Sequence, residues 1–143
     1  MQVLCDVTKT YGPVVGRILI APLFLLSGFH KVTGFAGVAG AMAAKGMPFA
    51  EILLIGAIVL ELGGGLMVLL GWHARWGAFM LAVFTVLATL VFHNFWAVDP
   101  AQYRGQLNHF MKNLAILGGL IYIVATGPGR FSLGNESESG RGH

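Results

Sequence analysis

The sequence has a single cysteine, Cys5, so the chain can form no internal disulfide and has no CxxC redox pair; any thiol chemistry would need a second thiol from another molecule. Charge is nearly as scarce, with nine basic and six acidic side chains making up 10% of 143 residues. The basic residues are scattered singly, so the formal charge of +3 forms no patch and nucleic-acid binding is excluded. A nucleotide-binding glycine loop, an EF-hand, a zinc signature and a hydrolase nucleophile elbow are also missing. What fills the chain is apolar: 56% hydrophobic residues and a mean hydropathy of +0.75. A soluble core of this size would leave much of that surface uncovered, whereas a lipid bilayer would cover it.

A membrane-crossing helix needs about 20 apolar residues at 1.5 Å rise each. Four such windows, residues 14–32, 49–71, 75–93 and 107–127, account for nearly the whole chain. They predict an all-α, four-transmembrane-helix bundle, with one domain over residues 1–130 and a polar, disordered tail over 131–143. Pro13 suits the first turn of the first span, and Gly127-Pro128-Gly129 stops the fourth. The first span carries Arg17 and ends in His30-Lys31 without a small-residue cleavage pattern, which predicts a retained helix rather than a signal peptide. Trp72 and Trp76 flank a tight link between spans two and three, and Trp96 and Tyr103 follow span three, as aromatic belts do. In residues 34–47, Phe35, Val38, Ala39 and Met42 recur at helical spacing and predict a short surface helix. Asp99-Pro100 predicts the start of a second short surface segment. Four spans place both termini on one side, and Lys9, Arg17, Arg75, Arg130 and Arg141 there, against Lys31, Lys45, Arg104 and Lys112, favour cytoplasmic termini.

Glu61 stands at the middle of the apolar run 52–70, where a carboxylate costs roughly 2.5–3.5 kcal/mol on insertion scales unless protein or water meets it. Gly63-Gly64-Gly65 follows on the same span and lets a neighbouring helix come close. Counting rise per residue, Arg17 and Lys112 each leave an axial gap of about 7–10 Å to Glu61, so either could be its partner. Alternating span direction gathers Lys31, His93, His109, Lys112 and Asn113 at one surface, with Thr85, Thr89 and His93 forming a polar stripe on span three. Each has a plain structural reading beside the functional one. Arg17 and Lys31 can snorkel to headgroups, the threonine hydroxyls can satisfy their own helix, and Glu61 can serve a buried ion pair as readily as a proton relay. A haem between His93 and His109 is disfavoured because hairpin spacing does not establish facing rings and no attachment motif exists. A metal on His30, His93 and His109 would lack a carboxylate at that surface.

Several of these residues form motifs: Arg17-Ile18-Leu19 with Phe24, Ser27-Gly28 and Lys31; Glu61-Leu62-Gly63-Gly64 followed by Leu70-Gly71; the histidine closing span three; and Gly127-Pro128-Gly129-Arg130-Phe131-Ser132-Leu133. Together they resemble the DoxX family of small four-helix membrane proteins, over nearly the whole chain. That resemblance implies a multi-pass protein of the bacterial inner membrane, associated with quinone and with sulfur or thiol redox chemistry, acting with redox partner proteins rather than as an enzyme alone. It implies no catalytic residue set. Three functions therefore stand open. The first is a redox-associated subunit holding a quinone, with His93, His109 and Lys112 as hydrogen-bond donors and Glu61 as proton route. The second is a non-catalytic scaffold of a membrane complex. The third is a small carrier, which would need a homo-oligomer to make a pore.

Overall fold

The structure is a computed structural model that describes residues 1–134. In chain order it has helices α1 (Gln2–Thr33), α2 (Phe35–Ala44), α3 (Ala50–Leu70) and α4 (Ala74–Phe92), a 3-10 turn (Phe95–Ala97), and α5 (Pro100–Thr126). The helices α1, α3, α4 and α5 are each long and apolar enough to cross a membrane, which makes the fold the expected all-α four-span bundle.

Consecutive long helices pack in sequence, α1 on α3, α3 on α4 and α4 on α5, and α1 touches α5 only lightly. The shared core is made of residues such as Ala21, Phe24, Val68, Ala78, Leu81 and Leu120. Large apolar side chains including Leu19, Leu26, Ile55, Val59, Leu87 and Leu114 face outward. In lipid that surface carries no penalty, so cohesion has to come from close packing and interior polar contacts. Helix α2 covers the first turns of α3, seating Ala39 and Met42 against Leu54 with Phe35 and Val38 beside them, on the face its spacing predicts.

Three boundaries differ from expectation. Helix α1 begins at Gln2, about three turns before the apolar run, because residues 2–12 continue it with a polar side that apolarity alone does not register. Pro13 accordingly sits inside the helix. Asp99-Pro100 does start a helix, with Pro100 in its first turn, but that helix is α5 itself and not a separate surface segment. The tail assigned to residues 131–143 falls from 135 onward outside the described residues. Its first part returns to the bundle: Tyr11 and Phe131 stack with centroids 5.7 Å apart, and Leu133 N–H donates to Leu70 O at 3.1 Å. The α3–α4 link is as tight as expected, turned by Gly71 (φ 72°) and His73 (φ 46°).

The three consecutive glycines of α3 face three directions. A Cβ on Gly64 would stand 2.8 Å from Leu81 and 3.3 Å from the Gly77 carbonyl of α4; one on Gly65 would stand 2.9 Å from Leu25 of α1; one on Gly63 would meet nothing within 4 Å. Gly64→Ala is therefore expected to cost about 1–3 kcal/mol by forcing α3 and α4 apart, while Gly63→Ala should be neutral or slightly stabilising. Thermal unfolding of the two variants in the same detergent checks this, and equal melting temperatures would refute it.

Candidate functional site

Glu61 is 3% exposed and faces α1. Its partner is Lys31, which corrects the choice between Arg17 and Lys112. Lys31 Nζ donates to Glu61 Oε1 at 3.0 Å, stands 2.9 Å from Oε2, and donates to Ser27 Oγ at 2.7 Å. Ser27 Oγ in turn donates to Oε1 at 2.8 Å. The axial count failed because it set the two spans level. Gly28 lies opposite Leu62 and Glu61, where its missing side chain admits them, and α1 ends at Thr33, little more than a turn later. Helix α3 begins at Ala50, about three turns before Glu61. Lys31 is thus one turn from the level of Glu61, and a helical side chain leans back toward its own N-terminus, which carries the ammonium to the carboxylate. Helix α2 fills the space beyond the short end of α1. The Lys31 side chain is 24% exposed, so the cluster is open to the outside at the cation and closed at the anion.

Arg17 is 1% exposed and lies at the other end of the same helix pair. Its Nη1 donates to Val68 O at 3.4 Å and Leu69 O at 3.5 Å, and its Nη2 donates to Phe131 O. Val68 O and Leu69 O belong to the last turn of α3, where carbonyls run out of intrahelical donors; Val68 O also accepts from the capping Gly71 N–H at 3.3 Å. A side chain on Gly71 would collide with the guanidinium. Arg75 does the same for α5, donating to Val124 O at 2.8 Å and Ala125 O at 2.9 Å.

A third polar group joins α4 to α5. Asn113 Nδ2 donates to Thr89 Oγ1 at 2.9 Å. Thr89 Oγ1 donates to Thr85 O at 2.5 Å and Thr85 Oγ1 to Leu81 O at 2.7 Å, the self-satisfying role open to helical threonines. One turn outward the rings of His93 and His109 stack with centroids 5.0 Å apart, and His93 Nδ1 hydrogen-bonds Gln106 Oε1 at 2.9 Å. Phe95 makes edge-to-face contacts with Trp96, Tyr103 and Phe110 beside them. His109 is exposed, as is Lys112 one turn further along α5.

The polar residues grouped by topology thus separate into an ion-pair cluster on α1 and α3, a histidine pair on α4 and α5, and an arginine cap at the opposite end. Four contributors were missed. Ser27 lies four residues before Lys31 and Gln106 three before His109, and helical spacing alone would have put Ser27 on the face of Lys31 and Gln106 on the face of His109, beside its partner His93. Arg75 donates to backbone carbonyls and Phe131 supplies one to Arg17, and for backbone groups side-chain pattern carries no signal. Among the described residues no group of three His, Cys, Asp or Glu side chains is placed to hold a metal.

Fold and site define a small four-span membrane bundle with a buried carboxylate–ammonium pair and capped helix ends. The DoxX family model matches residues 12–94, and the chain belongs to the DoxX family. The match takes in Arg17, Ser27, Lys31, Glu61 and His93 and ends before His109. Inner membrane protein YqjF of Escherichia coli (strain K12) is 40% identical over 122 residues, 85% of this chain and 88% of the relative. Inner membrane protein YphA of the same organism is 29% identical over 120 residues, 84% and 86% of the two chains. Surfeit locus protein 4 homolog of Schizosaccharomyces pombe is 30% identical over 132 residues, 91% of this chain but 39% of that protein. No solved structure matches the chain.

Proposed function

We propose that the protein is an inner-membrane subunit that holds a quinone-type ring at the His93–His109 pair and works with a redox partner protein. The observation that carries this reading is the stacked, partly exposed imidazole pair at the α4–α5 elbow. In the tautomer that donates Nδ1–H to Gln106, His93 keeps Nε2 as an acceptor, while exposed His109 can present an N–H. One donor and one acceptor suit a ring that alternates between carbonyl and hydroxyl oxygens, and the neighbouring aromatic cluster offers faces for a planar ring. Lys112, on the same side of α5 and one turn further along it, adds a donor; Asn113 is already engaged by Thr89. Glu61 lies on another helix pair, so its part is to exchange a proton through Ser27 and Lys31 rather than to touch the ring. The family and the inner-membrane names of YqjF and YphA support the location.

Loss of one hydrogen bond to the ring should weaken binding of a short-chain benzoquinone to the protein in lipid nanodiscs about tenfold in His109→Leu. Unchanged affinity in both His109→Leu and His93→Leu would reject the site. A scaffold role is the second reading, favoured because Arg17, Arg75, Thr89 and Asn113 all bond inside the bundle. It predicts that the parent protein and both variants alike bind no quinone yet recover a constant partner from native membranes.

A further inference from the structure

Helix α1 does not stop where the bundle stops. Arg17 already sits against the last carbonyls of α3, and Trp72 and Trp76, both exposed beside that end, mark the membrane boundary. Residues 2–13 carry the helix past this level, and at 1.5 Å per residue Leu4 stands about 20 Å beyond Arg17.

A helix projecting alone into water is expected to be polar all round. This one is two-sided. Val3, Leu4, Val7 and Tyr11 are 76, 65, 48 and 53% exposed, and at 100° per residue they fall within one arc, opposite Cys5, Asp6 and Lys9. Leu4, Val7, Tyr11, Val14 and Ile18 advance by alternating steps of three and four, the spacing of the a and d positions of two heptads. Thr8, on the edge of the stripe, turns its hydroxyl onto Leu4 O and Cys5 O of its own helix, at 2.8 and 3.1 Å. The aromatic stack of Phe131 on Tyr11 is the one tertiary ring contact recorded on the stripe among the described residues.

We propose that this extension docks on the same helix of a second copy, forming a short parallel two-stranded coiled coil on the side of the membrane that carries the termini. The membrane supplies the register. Copies inserted in one orientation present the stripe at one height, so like residues meet across a twofold axis. The charges agree with a self-pair, because Asp6 and Lys9 take outer heptad positions and the positions flanking the seam, Val3, Thr8 and Thr10, carry none. Two heptads are too short to hold such a pair together in free solution. Confinement of both copies to one bilayer raises their effective concentration and removes that requirement.

The test uses the full chain in lipid vesicles at low protein-to-lipid ratio, with Cys5→Ser as background and one cysteine restored at a time. Oxidation is expected to cross-link Leu4→Cys and Val7→Cys into dimers about tenfold faster than Asp6→Cys and Lys9→Cys, following the heptad. Equal rates at all four positions, or no dimer at the stripe, would overturn the proposal. So would quenching of a fluorophore on Val7→Cys by brominated lipid, which would place the stripe against the bilayer surface. Energy transfer between labelled copies should vanish in Leu4→Asp/Val7→Asp while circular dichroism and the melting temperature of the bundle stay unchanged; transfer that persists also overturns it.

Discussion

Arg17→Ala is expected to lower the unfolding free energy by about 3 kcal/mol or more, since each buried acceptor left unpaired costs roughly 1–3 kcal/mol. The guanidinium is 1% exposed and serves three carbonyls at once, two on the last turn of α3 and one on Phe131 beyond α5. Removing it leaves Leu69 O and Phe131 O without this donor and Val68 O with only the Gly71 N–H, and opens a cavity among α1, α3 and the returning chain. Arg17→Lys should recover less than half of the loss. An ammonium carries the charge but lacks the planar fork that lets two nitrogens address two chain segments together. The measurement is unfolding of the purified protein across a series of denaturing detergent, read by Trp fluorescence, with protease sensitivity of the Gly127–Leu133 stretch as a second readout. The variant should be cut there first, because Phe131 loses its hydrogen bond to α1 and keeps only the ring stack on Tyr11. A lysine variant as stable as the parent would show that charge at that depth, and not the cap, is what matters.

The same residue shows where sequence reading stops. Four apolar windows and the Phe35, Val38, Ala39, Met42 spacing announce the spans and α2, because lipid-facing and core-facing side chains are chosen by type and period. The position of Arg17 one turn into the span was equally visible, but its targets are backbone oxygens, present at every residue and so without a signature. Glu61 was legible as a costly residue, yet its partner depended on the relative height of α1 and α3. That height is set by Gly28 meeting Leu62 and by α2 taking over beyond Thr33, both tertiary facts. The His93–His109 stack follows from antiparallel register between α4 and α5, fixed one turn inward by Asn113 on Thr89. Periodicity could place each residue on a face but could not choose the register.

Lys31→Met is the other change with a large expected effect, and the asymmetry of the pair makes it informative. Glu61 is the buried member, while Lys31 keeps 24% of its side chain exposed. Removing the cation strands a carboxylate between α1 and α3, for which breaking a buried pair costs about 3–5 kcal/mol. Removing the anion by Glu61→Gln should cost less, roughly 1–2 kcal/mol, because the released ammonium can swing its stem toward the headgroups and the introduced amide oxygen still offers Ser27 an acceptor. The double variant Lys31→Met/Glu61→Gln should then be more stable than Lys31→Met alone, with coupling of at least about 1 kcal/mol in the cycle. Simple additivity in the double would mean that the contact contributes little and that Glu61 is stabilised by other groups, while equal destabilisation by the two single changes would overturn the asymmetry argued from exposure. The double variant also separates the two roles open to Glu61. It restores the fold without a carboxylate, so any redox turnover of the intact membrane complex that survives in it does not pass a proton through Glu61. Turnover that is lost while folding and partner recovery persist would assign the proton path to this cluster.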